Sequence, residues 1–98
     1  MAQDVCCFEF EPSVCMHRVR ELLAHAVHAA IAIHGEIQVH MEAELIFCDQ
    51  GRSCVIDAGT SAGKTIHQVF TQLLHASLDT GNFTVKQMDE MEGHSDAS

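Results

Sequence analysis

The order in which the hydrophobic period changes along the chain restricts the fold more than any other feature. Val5–Glu11 alternates with a period of two, putting Cys6, Phe8 and Phe10 on one face and Cys7, Glu9 and Glu11 on the other. Ser13–His34 then follows a helical period, with Cys15, Val19, Leu22, Leu23, Ala26, Ala30 and Ile33 on one arc. Ile37–Cys48 alternates again, a short apolar run covers Ser53–Ala58, Ser61–Asp79 is helical, and Phe83–Met88 ends the pattern as a last strand. Pro12 ends the first strand by withholding an N–H, Ser13 is the expected N-cap of the first helix, and Gly35 its expected stop.

The order β-α-β-β-α-β implies an α+β fold, the ferredoxin-like two-layer sandwich. Its four-stranded antiparallel sheet runs 4-1-3-2, with both helices on one face. The turn Asp49-Gln50-Gly51-Arg52, with Gly51 at positive φ, sets a register in which Phe47 opposes Cys54 and Leu45 opposes Ile56. Residues 1–88 are read as one domain and 89–98, acidic and without apolar period, as a disordered tail. A chain of 98 residues buries roughly two thirds of its unfolded surface, enough for a core without disulfide staples.

Fourteen acids against five bases, a net charge of −9, argue against binding nucleic acid or an anionic membrane surface. They favour a cation or a basic protein patch as partner. The five cysteines contain no CxxC pair and are an odd number, so they read as free thiols of a cytoplasmic protein, small apolar residues rather than a disulfide framework. No run reaches the roughly 20 apolar residues of a membrane span, and the start Met-Ala-Gln-Asp lacks the basic region of a signal peptide.

Three constellations are candidate sites. The sheet face opposite the helices is expected to carry Glu9, His40, Glu42, Glu44, Ile46 and Asp57, a mixed acidic and apolar surface suited to a protein partner. In the expected register Glu44 opposes Asp57, a like-charged pair that a cation or basic partner would relieve. On the first helix Glu21, His25 and His28 have the spacing that puts transition-metal ligands such as those of zinc on one face, although the pattern is not HExxH. Ala58-Gly59-Thr60-Ser61-Ala62-Gly63-Lys64-Thr65 follows a relaxed phosphate-loop pattern, making Gly63, Lys64 and Thr65 candidate anion ligands. The loop follows a hairpin strand instead of a parallel one, which argues against nucleotide hydrolysis. Cys15 near His17 is a weaker candidate for a reactive thiol, since side chains two apart on a helix diverge.

The functional expectation is a small acidic binding or regulatory module, acting through the open sheet face and forming a homodimer by that face or by the edge of the long second strand. A metal protein and a binder of phosphorylated small molecules are the alternatives. No catalytic residue and no cofactor follow from the residues.

Overall fold

The computed structural model describes residues 5–88, so the expected tail from Asp89 lies outside the described residues. The elements are β1 (Val5–Phe10), α1 (Met16–His34), α2 (Glu36–Glu42), β2 (Leu45–Cys48), β3 (Ser53–Asp57), α3 (Ser61–Ser77), a 3-10 turn at Thr80–Asn82, and β4 (Phe83–Met88). The strands form one antiparallel sheet in the order β2-β3-β1-β4. Alternate residues Cys6, Phe8, Phe10, Cys54, Ile56 and Phe83 are buried, on the face against which α1 and α3 pack. No helix among the described residues is long and apolar enough to cross a membrane.

The amphipathic arcs account for the core. Val19, Leu22, Leu23, Ala26 and Ala30 of α1 join Ile66, Phe70 and Leu74 of α3 beneath Phe8 and Ile56. Val69, Leu73 and Leu78 pack half-buried at the margin. The hairpin register is the expected one: Phe47 pairs with Cys54 and Leu45 with Ile56.

The largest departure lies between Gly35 and Ala43. The expected long second strand is instead helix α2 followed by a four-residue strand. β3 ends at Asp57, so residues preceding Glu44 have no neighbouring strand to satisfy their backbone, and a helix satisfies its own. Gly35, at φ 93°, closes α1 by donating its N–H to the Ile31 carbonyl (2.8 Å) and opens α2 by accepting from Val39 (3.1 Å). Side chains four apart then support the short helix. Gln38 Nε2 donates to both Glu42 carboxylate oxygens (3.3 Å each), and Glu36 lies 3.8 Å from His40.

Two local expectations shift as well. Helix α1 starts at Met16 with Cys15 as its N-cap residue, making no side-chain cap bond, because Pro12 and Ser13 form a preceding turn. Met16 is therefore buried, while Cys15 and Ile33 are exposed. In the hairpin, Arg52 rather than Gly51 takes the left-handed conformation, with φ 52°. Its side chain accounts for the choice. The guanidinium donates to the carbonyl of Glu11 (Nη2 2.6 Å, Nε 3.2 Å) and to that of Val14, tying the hairpin to the chain entering α1. Arg52→Ala is expected to cost roughly 1–2 kcal/mol through those charge-assisted bonds. Arg52→Gly should cost less, because it also removes roughly 1 kcal/mol of left-handed strain. Urea midpoints of the two variants should fall in that order.

His67 of α3 is half-buried with its ring 5.5 Å from that of Phe8. Its Nε2 and Thr71 Oγ1 are buried without a hydrogen-bond partner among the described residues. Desolvation holds the imidazole below its ordinary 6.5. A histidine whose folded pKa is depressed resists protonation only in the folded state. Stability is therefore full above about pH 6.5 and falls as pH drops through that value. His67→Leu should flatten this part of the stability–pH curve, which chemical denaturation between pH 7.5 and 5 reads directly.

Candidate functional site

The face of the sheet away from the helices is built by the register alone. Ile46 pairs with Val55, Val55 with Cys7, and Cys7 with Lys86, so these four side chains form one row across all four strands. The next row is Cys48, Ser53, Glu9 and Thr84. On the other side, Asp57 pairs with Val5, and the Asp57 N–H donates to the Glu44 carbonyl (3.0 Å), which carries the register one residue beyond β2. The central row is apolar over three strands. Ile46 is 65 % exposed, and Val55 and Cys7 are half-buried. Acids surround it: Glu9, whose Oε1 lies 3.6 Å from Lys86 Nζ, then Glu44 and Asp57. The anticipated Glu44–Asp57 opposition is thus present, but Asp57 has a partner within its own loop, accepting the Gly59 N–H at 2.9 Å. Burial raises the Cys7 thiol, with the Glu9 carboxylate adding to it, and burial pushes the Cys54 thiol up to about 12. Neither is an activated nucleophile. Among the described residues Cys7, Cys15, Cys48 and Cys54 are free thiols; Cys6 and Cys54 are buried, and Cys15 and Cys48 are exposed.

His40 and Glu42 do not belong to this face. Both lie on α2, for the backbone reason already given. His40 pairs with Glu36, and Glu42 reaches the N-terminus of α3, where its Oε1 accepts the Ala62 N–H at 3.0 Å. Thr60 caps the same helix, its Oγ1 accepting the Gly63 N–H (3.0 Å) and donating to the Glu42 carbonyl (3.2 Å).

The phosphate-loop pattern lies within that arrangement. The helix N-terminus, with its positive dipole end, already holds a carboxylate, that of Glu42. Gly63 is buried against the Asp57 backbone: a Cβ at this position would stand 2.0 Å from the Asp57 carbonyl oxygen. Lys64 is exposed, and its N–H is taken by the Thr60 carbonyl (2.9 Å). Thr65 Oγ1 donates to the Ser61 carbonyl (3.2 Å) and accepts from His34 Nε2 (2.7 Å). Gly63 and Thr65 thus serve the junction of α1, α2 and α3, while the Lys64 side chain stays exposed.

The Ala62 bond first, then the Gln38 amide, holds the Glu42 carboxyl below its ordinary 4.5, and the nearby His34 adds to this. A depressed carboxyl contributes stability above about pH 4.5 that is lost as pH falls through the lower folded value. Glu42→Gln should therefore lower stability at pH 7 and narrow the gap to wild type at pH 3, measured by urea unfolding at both values.

The metal candidates are not assembled. Glu21 lies 3.5 Å from His17 and 4.0 Å from Arg18, and His25 and His28 are exposed on α1. Among the described residues no group of three His, Cys, Asp or Glu side chains is placed to hold a metal ion.

One surface was not foreseen. Ile33, Ile37 and Met41 are 67 %, 78 % and 80 % exposed at the corner of α1 and α2, and Ile37 and Met41 line an open groove of about 660 Å³. Their spacing of four residues is visible in the sequence, and a helical reading of 36–42 would have found it. No protein-family model, no curated protein and no solved structure matches this chain.

Proposed function

We propose that this chain is a small acidic cytoplasmic module of ferredoxin-like type, with α2 inserted, that binds a basic protein surface through its open sheet face and assembles as a homodimer. Residues 1–88 are its single domain and 89–98 an acidic tail. Counted from the β4 edge the neighbouring strands run 4-1-3-2, which supports the fold reading. The observation that carries the functional reading is the apolar row Ile46–Val55–Cys7 on a face that no helix among the described residues covers, rimmed by Glu9, Glu44 and Asp57. An apolar centre with a charged rim is the anatomy of a protein–protein surface, and the chain's net charge of −9 selects a basic partner. The free thiols Cys7, Cys15, Cys48 and Cys54 fit a reducing compartment.

A Lys-Val-Lys-Val-Lys peptide titrated into ¹⁵N-labelled protein tests it. Amide shifts should gather at Cys7, Glu9, Glu44, Val55 and Asp57, and Glu44→Arg should weaken binding about threefold at low salt. Shifts gathered at Ile33, Ile37 and Met41, or no shifts at all, would reject the sheet face.

A further inference from the structure

The two edges of the sheet are defended differently. β4 carries Lys86, an exposed charge of the kind that discourages edge pairing. β2 reads Leu45-Ile46-Phe47-Cys48, with no charge, no proline and no glycine. The Asp57 N–H donates to the Glu44 carbonyl, and in an antiparallel ladder the bonding side alternates. Ile46 and Cys48 therefore bond to β3, while Leu45 and Phe47 turn their N–H and C=O groups outward. Along this edge, on the helix side, lies a groove of about 390 Å³ between α1 and β2, lined by Leu23, Ala24, Val27, Leu45 and Phe47. Arg20, with its guanidinium 5.6 Å from the Phe47 ring centroid, and His28 also border it. It is thus a base-bordered apolar slot beside a strand edge that no strand among the described residues covers, in an otherwise acidic chain.

The occupant that fits is an extended apolar segment with an acid on its groove-facing side. β2 is such a segment: Leu45 and Phe47 are followed on the same face by Asp49, while Glu44 lies on the open face. We propose that a second copy of this chain docks here, β2 against β2, antiparallel about a twofold axis at Ile46. Placing the axis there pairs Leu45 with Phe47 of the second copy and Phe47 with its Leu45, so the outward groups of both residues in both copies are satisfied within the strand. An axis at Phe47 would instead pair Leu45 with Asp49 of the hairpin turn. In the Ile46-centred register Leu45 and Phe47 of the two copies meet on the groove side. Asp49 of the second copy comes opposite Ala43, at the Leu45 end of the base-bordered slot. Glu44 falls opposite Cys48, so no like charges face each other. The contact is isologous and closes on itself, and one sheet runs through both copies with the open faces side by side. The inference rests on the homodimer part of the reading above and leaves the partner-binding face free.

Sedimentation of the full chain tests it, with Ile46→Asp and Val55→Asp as probes. At the axis the two Ile46 residues form a non-hydrogen-bonded pair about 4.5 Å apart at Cα. Ile46→Asp sets two carboxylates against each other there and should weaken dimerisation at least about tenfold. Its exposed position leaves the fold intact by circular dichroism. Val55→Asp disturbs only the face and should leave the dimer unchanged. The covalent probe is Ile46→Cys in a chain also carrying Cys15→Ser and Cys48→Ser. Mild oxidation should link two copies, since the Cα separation matches a disulfide's range of about 4.4–6.8 Å. The chain with the two serine changes alone should stay unlinked. A monomeric wild-type chain at all concentrations overturns the proposal. So does a dimer that tolerates Ile46→Asp, a dimer that Val55→Asp alone dissolves, or an Ile46→Cys chain that oxidation leaves unlinked. Loss of peptide shifts on the sheet face with this dimer intact would reject the binding reading and spare this one.

Discussion

Gly63→Ala is expected to destabilise the protein by roughly 3 kcal/mol, the upper part of the range for overpacking a closed site. The cause is the approach of α3 to the end of β3. An added Cβ would lie 2.0 Å from the Asp57 carbonyl oxygen, 3.1 Å from its carbon and 2.9 Å from Thr60 Oγ1. Two of those atoms are backbone and have no rotamer to change, so relief requires the first turn of α3 to move away. That movement carries the Ala62 N–H from the Glu42 carboxylate and the Gly63 N–H from Thr60. The urea midpoint should drop by about 1–2 M for a chain of this size. Gly81→Ala is the control: beyond its chain neighbours, no atom among the described residues lies within 4 Å of its Cβ position, and the expected change is within about 0.5 kcal/mol. A Gly63→Ala variant as stable as wild type would mean that α3 does not pack this close to Asp57.

Phe8→Ala should cost about 4 kcal/mol, through lost transfer energy and the cavity left behind. Phe8 has no solvent exposure, and its ring meets that of Phe70 edge to face at 5.0 Å between centroids. It sits on a central strand, with β3 on one side and β4 on the other. Neither neighbour can collapse into the space without breaking the register. Against a total stability of about 5–10 kcal/mol this change brings the domain near unfolding. Phe70→Ala should cost a similar amount. The double variant should cost less than the sum by about 1 kcal/mol, the share belonging to the ring pair. Full additivity in that cycle would show that the two rings do not interact.

Which parts of this structure are legible in the residues follows from where information about each is stored. The β2–β3 hairpin was readable because both strands are short, next to each other in sequence, and alternate. Phe47 opposite Cys54 follows once the turn is set at Asp49–Arg52. The sheet-face acids Glu9, Glu44 and Asp57 followed from the same alternation. Helices α1 and α3 carry apolar arcs long enough to exclude a strand. Residues 36–42 do not. Seven residues with apolar side chains at 37, 39 and 41 satisfy a period of two, yet as a helix they need only Val39 inward, and Val39 alone among the α2 residues is buried. The phosphate-loop pattern was legible as strand, loop and helix, and its purpose was not. Glu42 stands twenty residues before Ala62, and nothing near the loop announces that a carboxylate will arrive there.

Periodicity and turn chemistry alone therefore specified an α+β chain with a hairpin of known register, two long amphipathic helices, and a strand face studded with Glu9, Glu44 and Asp57. They are local properties, expressed within a few residues of backbone. Three-dimensional packing alone settled that residues 36–42 coil, that Glu42 fills the end of α3, and that Ile33, Ile37 and Met41 remain in water. Each of these depends on whether a distant segment is near enough to take a backbone hydrogen bond or cover a side chain, and β3, which stops at Asp57, offers residues 36–42 no neighbour to pair with.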